Sequence, residues 1–158
     1  MRVYADTSYL VRLVAEEPGT EAAQAEYHRL GRPGMFYLPL HSLEVANAVR
    51  QRAFHLRRSA PASERAAIKR ETATALALLA KFIARGVLIE SSVDMDKAIE
   101  AARSLSAKHT ERLGCRGFDL LHVALALELE CEAFLTSDRI QGALARAEGF
   151  EVTVCADD

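Results

Sequence analysis

No apolar run in this chain is long enough to span a membrane, and no net positive charge marks it as a general binder of polyanions. Cysteine is scarce. The three that occur, Cys115, Cys131 and Cys155, are odd in number and lack CxxC spacing, which argues against a disulfide framework or a zinc site. Cys131 and Cys155 sit among apolar residues and read as core thiols, so a reducing, cytoplasmic setting is expected. The N-terminus opens on a strand-like run with no basic region ahead of an apolar one, so no signal peptide is expected. There is no internal repeat and no low-complexity segment. No lysine follows a later strand, since Lys81, Lys97 and Lys108 fall within helices or at a helix end. That argues against a phosphotransfer or phosphatase domain built on an aspartyl nucleophile.

What the chain does have is the composition of a packed domain. Of its 158 residues, 50% are hydrophobic and 27% charged, which fits one globular domain over residues 1–158 with a real core. The formal net charge of -2 hides an uneven distribution. Arg50, Arg52, Arg57, Arg58, Arg65, Lys69 and Arg70 share a stretch with a single acid, Glu64. From Glu128 to Asp158 eight acids face only Arg139 and Arg146. Such asymmetry suits a polyanion or a charged partner, although for the basic run alone a solvated helix face is the better explanation.

Strand-like and helix-like segments alternate. Arg2 to Ala5 is a short apolar run that stops at Asp6-Thr7-Ser8. A helix begins at Tyr9 and breaks at Pro18-Gly19. Thr20 is expected to cap a second helix reaching Leu30, with Gly31 after it. Met35 to Leu38 is a second strand closed by Pro39, followed by a helix from His41 to Leu56. Ser63 is a plausible cap for the next helix, Glu64 to Arg85, which carries Ile68, Leu76, Leu79 and Ile83 at helical spacing and ends at Gly86. Val87 to Glu90 is a third strand. Asp94 caps a helix to Lys108 with Ile99, Ala102 and Leu105 facing inward. His109 to Gly117, polar and glycine-containing, reads as a loop. Phe118 to Glu130 is a helix apolar nearly all round, hence central. Ala133 to Thr136, Asp138 to Glu148 and Phe150 to Val154 read as strand, helix and strand. This pattern predicts an α/β fold, a parallel sheet of about five strands covered on both faces. Its working site is expected beyond the carboxyl ends of the strands.

That expectation singles out four acids. Asp6 follows the first strand and Asp138 the fourth. Glu44 lies early in the helix after the second strand, and Asp119 opens the apolar central helix. Each has an ordinary explanation. Asp138 can be a helix cap, Asp119 can complement a helix dipole, and Glu44 alone is an unremarkable early-helix glutamate. Asp6 is the hardest to dismiss, because an acid at the end of a buried strand is seldom there for stability. Together on one sheet edge, like charges repel, and burial worsens the repulsion. A cation relieves it. An all-oxygen set suits Mg2+ or Mn2+, and such ions activate water for displacement at phosphorus.

Four short motifs resemble those of PIN-domain nucleases. They are Tyr4-Ala5-Asp6-Thr7-Ser8, Ser42-Leu43-Glu44-Val45-Ala46-Asn47-Ala48, Phe118-Asp119-Leu120-Leu121-His122-Val123-Ala124-Leu125-Ala126 and Phe134-Leu135-Thr136-Ser137-Asp138-Arg139. Their order and spacing are similar to those of VapC-type toxins of bacterial toxin–antitoxin pairs, over essentially the whole chain. The resemblance implies a three-layer α/β/α PIN fold and Mg2+- or Mn2+-dependent cleavage of RNA, leaving 5'-phosphate and 3'-hydroxyl ends. It also implies a homodimer and a cognate antitoxin whose tail covers the site. Asp6, Glu44, Asp119 and Asp138 are then the metal-carrying catalytic residues, with Ser8 and Thr136 matching auxiliary hydroxyl positions. Asn47, one turn beyond Glu44, is placed either to orient that carboxylate or to be a plain surface or core-edge asparagine. His122, one turn after Asp119, is expected to be a packed, hydrogen-bonded histidine, and His28, His41, His55 and His109 show no metal spacing. Two other readings share the fold: an RNA-processing nuclease without an antitoxin, and a non-catalytic binding domain.

Overall fold

Five short parallel strands form the centre: β1 (Val3–Ala5), β2 (Met35–Tyr37), β3 (Leu88–Glu90), β4 (Ala133–Thr136) and β5 (Glu151–Val154). They are seen in a computed structural model that describes residues 1–155. Asp157 and Asp158, the last two acids of the acidic segment, lie outside the described residues.

The strand order is β3-β2-β1-β4-β5. The chain therefore builds outward from β1 in one direction, then returns to β1 and builds in the other. β1 and β4 flank the point where the order reverses, and a crevice opens at the carboxyl ends of such a pair. Asp6 follows β1 directly, and Thr136 ends β4.

Side chains on the strands alternate between the two faces. Val3, Ala5, Met35, Tyr37, Leu88, Ala133 and Leu135 join one core with α1 (Thr7–Val14), α2 (Thr20–Arg29), α3 (Pro39–Ser59) and α4 (Arg65–Ala84). Tyr4 and Phe134 point the other way. They join a second core with α5 (Met95–Leu113), α6 (Gly117–Glu128) and α7 (Arg139–Ala147). The result is the expected three-layer α/β/α arrangement. No helix among the described residues is long and apolar enough to cross a membrane.

Several local expectations are corrected. The segment from His109 is no loop, because α5 continues to Leu113 and stops at Gly114, whose φ of 70° is the left-handed stop that glycine tolerates best. The extra turn is held by His109, buried, with Nε2 2.5 Å from Glu148 Oε1. Polarity misled here because the polar side chains pair with one another. Ile99 is exposed; Ala98 and Leu105 carry the buried face of that helix. Gly19, not Thr20, is the cap of α2, and the Thr20 hydroxyl instead ties the preceding turn to Ala15 O. Ser63 lies inside a 3-10 turn (Ala62–Glu64) and does not cap α4. Pro39 opens α3 as well as closing β2, since proline suits the first helical turn. Cys155 is buried as expected, whereas Cys131 is only half-buried.

One glycine is fixed by close packing. A Cβ on Gly142 of α7 would lie 2.5 Å from Val154 Cγ2 and 3.4 Å from Thr136 Cγ2. Gly142→Val is therefore expected to overpack α7 against β4 and β5 and to destabilise by about 1–3 kcal/mol, read as a lowered midpoint in thermal unfolding.

Candidate active site

Asp6 is both a helix cap and a buried acid. Its Oδ1 accepts from the Tyr9 amide at 2.9 Å, the normal capping bond at the start of α1. The Ser8 hydroxyl lies 2.7 and 2.9 Å from its two oxygens, and Thr136 Oγ1 donates to Oδ2 at 2.7 Å. Asp6 is 2% exposed, and among the described residues it forms no ion pair. Burial pushes its carboxyl above the ordinary value. Nearby His122 and the bonds from Thr136, the Tyr9 amide and Ser8 pull against that rise.

Thr136 couples two acids. Its hydroxyl donates to Asp6 and accepts from the Asp138 amide at 2.9 Å, while Ser8 Oγ accepts from the Ser137 amide at 2.8 Å. The two strand ends on either side of the reversal point are thus laced together by hydroxyls. Asp138 caps α7 through Oδ1, which accepts from the Ile140 and Gln141 amides at 2.7 and 3.0 Å. Asp119 accepts from the Arg116 amide at 2.8 Å. The Arg116 guanidinium stands between these acids, 3.7 Å from Asp119 and 3.6 Å from Asp138. The modest explanations offered by the sequence hold too: both acids serve their helix ends.

Glu44 reaches the site from α3. Its Oε2 accepts from Thr7 Oγ1 at 2.8 Å and lies 2.7 Å from His122 Nε2. On the far side of the ring, His122 Nδ1 lies 2.8 Å from the Tyr4 hydroxyl. With Glu44 ionised, Nε2 donates to it. Burial and the neighbouring Asp6 and Glu44 push the Tyr4 phenol up, so it keeps its proton. Burial also pushes Glu44 up, but the hydrogen bond and charge of His122, with Thr7, outweigh it and hold the carboxyl below its ordinary value.

Asp6, Glu44, Asp119 and Asp138 line one cavity of about 600 Å³, with Ser8, Ser137 and His122. Thr136 is buried beneath it. Asn47 is exposed on α3 and is not among the lining residues; Thr7 and His122, rather than Asn47, hold Glu44. As the side chains lie, no three His, Cys, Asp or Glu among the described residues form a group able to chelate an ion. The hydrogen bonds above give the reason: Asp119, Asp138 and Glu44 are turned toward amides, Arg116, Thr7 and His122. The chemistry of the wall nonetheless fits a hard cation. Its carboxylates and hydroxyls offer oxygens, and among the described residues Asp6 is buried without an ion-pair partner and Ser137 Oγ is buried with no hydrogen-bond partner.

Three participants were not legible as site residues. Thr7 belongs to the polar triplet after β1, but nothing in the sequence gives it Glu44 as a partner. Tyr4 reads as core, and only the alternation along β1 sends it to the opposite face from Val3 and Ala5. His41 is the third. Fully buried, it stacks on Tyr37, accepts from the Leu38 amide at Nδ1 (3.0 Å) and lies 3.0 Å from Ala5 O at Nε2. It thereby ties the start of α3 to the backbone just before Asp6.

Burial, then nearby His122, push His41 down to about 3. A histidine depressed on folding stabilises fully above its unfolded value of about 6.5 and loses that contribution as pH falls toward 3. Stability is thus expected to drop by up to about 1.4 kcal/mol per pH unit below about pH 6.5. Asp6, raised by burial, acts with the opposite sign. The readout is therefore the difference between wild type and His41→Asn in urea unfolding at pH 7 and pH 5. The variant is expected to lose less on acidification, and equal losses would contradict the assignment.

Comparison with known proteins agrees with this architecture. The family model described as PIN domain matches residues 3–147. Among solved structures, PAE2754 from Pyrobaculum aerophilum superposes with a TM-score of 0.55 at 15% identity, covering 96% of this chain and 89% of that one. That likeness speaks for the fold alone. No curated protein matches the chain. PIN domains are generally metal-dependent nucleases, and the four acids occupy the cavity where that chemistry is expected. By the extent of the family match, this chain belongs to the PIN domain family.

Proposed function

We propose that this protein is a Mg2+- or Mn2+-dependent endoribonuclease, a single domain over residues 1–158, acting as the toxin of a toxin–antitoxin pair. One observation carries the nuclease reading. A buried carboxylate with no ion-pair partner among the described residues, Asp6, lies at the reversal point of the sheet in a cavity lined by four further acids, Glu17, Glu44, Asp119 and Asp138.

Asp6, Asp119, Asp138 and Glu44 are the residues that would hold the ion. A divalent ion held there supplies an activated water and positive charge for the phosphate oxygens. The chain does the rest. Ser8 and Thr136 fix both oxygens of Asp6, and Thr136 also fixes the backbone of Asp138. Tyr4, His122 and Thr7 fix Glu44. Such preorganisation spares the cost of gathering acids at the moment of reaction. Arg116, largely exposed at the cavity mouth, is placed to meet either a carboxylate or a substrate phosphate.

The toxin reading rests on the order and spacing of the four motifs. With it go a cytoplasmic setting, a homodimer and a cognate antitoxin covering the acid cavity. Purified protein is expected to cut single-stranded RNA with Mg2+ or Mn2+, to stop with a chelator, and to leave 5'-phosphate ends. Absence of metal-dependent cutting would overturn the nuclease reading. Expression in a bacterium is expected to arrest growth, with relief by the product of a small adjoining gene. Cutting without arrest would instead favour a processing nuclease.

A further inference from the structure

A second cavity, of about 730 Å³, lies between α3 and α4, away from the acids. Arg50, Arg57, Arg58, Arg65 and Lys69 line it, and no acid does. Among the described residues none of these five cations takes part in an ion pair. In a chain of net charge -2, that is a marked local excess. The groove also holds an exposed aromatic ring. Phe54 is 58% exposed, with the Arg58 guanidinium 5.6 Å from its centroid.

Helix α3 links this groove to the acid cavity. Glu44, Ala48 and Arg52 line the acid cavity at four-residue spacing, while Arg50, Phe54 and Arg57 of the same helix line the groove. The groove residues of α3 begin roughly 9 Å beyond Glu44 and end roughly 21 Å beyond it along the axis. That distance corresponds to about three to six stacked nucleotides.

From this geometry we infer that the α3–α4 groove binds single-stranded RNA flanking the scissile bond, the five cations tracking phosphates and Phe54 stacking on a base. Cations without counter-charges beside an exposed ring are what a single strand needs, since phosphates supply the charge and every base has a face to stack. An acidic polypeptide would satisfy the cations but gives no use to an exposed ring under a guanidinium. The inference rests on the nuclease reading only in naming RNA as the polyanion.

Binding is therefore measured without cutting. A fluorescein-labelled single-stranded RNA of about a dozen nucleotides is titrated with protein in EDTA, and anisotropy is followed at several salt concentrations. The triple variant Arg57→Ala/Arg65→Ala/Lys69→Ala is expected to bind at least about tenfold more weakly, with a log–log salt slope reduced by about 2. Phe54→Ala is expected to bind about fivefold more weakly with the slope unchanged. Thermal melts check that both variants stay folded, and cleavage of a dinucleotide-sized substrate is expected to be unchanged. Wild-type RNA affinity and slope in the triple variant would overturn the inference while leaving the acid site untouched. So would a change of oligomeric state in that variant, or displacement of the RNA by short poly-glutamate at matched charge, either of which would assign the groove to a protein partner. Loss of cutting by wild type with normal binding would instead strike the nuclease reading alone.

Discussion

Replacing Asp6 by asparagine is expected to lower metal-dependent RNA cleavage by a hundredfold or more while leaving the protein at least as heat-stable as wild type. The two halves have one cause. Asp6 is the most buried of the four acids and has no ion-pair partner among the described residues, so its charge is useful to a bound cation and unfavourable to the empty fold. Burial raises its carboxyl above the unfolded value. A group raised on folding stabilises below its unfolded value and loses that contribution as pH rises through the folded one. At neutral pH the ionised form is thus the costly one. Asparagine keeps an oxygen for the Tyr9 amide and removes the charge. Cleavage assays with Mn2+ and a thermal melt at pH 7 are the checks. A melting point several degrees lower would show that Asp6 serves the fold first, and undiminished cleavage would remove it from the chemistry.

The second large effect concerns a residue that need not touch substrate. His122→Phe is expected to lower cleavage by about ten- to a hundredfold and to destabilise the fold by about 2–4 kcal/mol. Phenylalanine preserves the ring packing against Tyr4 and His41. It removes the polar contacts to Tyr4, Glu44 and Thr7, leaving the Tyr4 hydroxyl buried without its partner and Glu44 held by Thr7 alone. Tyr4→Phe isolates one part of this chain of contacts, since it removes the hydroxyl and leaves the His122–Glu44 contact standing. It is expected to cost less on both counts. The mark of a positioning role is in the metal dependence: the Mn2+ concentration for half-maximal cleavage is expected to rise in His122→Phe more than in Tyr4→Phe. An unchanged metal requirement in both would reduce His122 to packing.

How much of this was visible in the amino-acid order follows from how local each signal is. The strands were legible because buried parallel strands are short apolar runs, and the acids were legible because each follows a strand or lies early in a helix. Those are one-dimensional facts. Their gathering at the β1/β4 reversal point follows from strand order, which brings Asp6 and Asp138 together although they are 132 positions apart in the sequence. The sequence could not supply the contacts between side chains. Thr7 meets Glu44, and Tyr4 meets His122, across separations of 37 and 118 residues. The helix through His109 was misread for the same reason, since its polar residues find Glu148 at the end of α7. Asn47 shows the converse. Spacing put it one turn from Glu44, but the carboxylate turns inward to His122 and leaves Asn47 exposed.

The α3–α4 pair shows where composition alone was ambiguous. A basic run is compatible with a solvated helix face, and nothing in the order of residues separates that from a groove. Packing of the two helices does, by setting Arg50 and Arg57 opposite Arg65 and Lys69 around one depression.

The most direct test is Mn2+ binding itself, followed by calorimetry on wild type, Asp6→Asn and Asp138→Asn at neutral pH without RNA. Saturable binding by wild type, competed by Mg2+ and weakened at least about tenfold in each variant, is the expected result. No binding by wild type at millimolar Mn2+, or equal binding by all three proteins, would contradict a metal centre built on these acids.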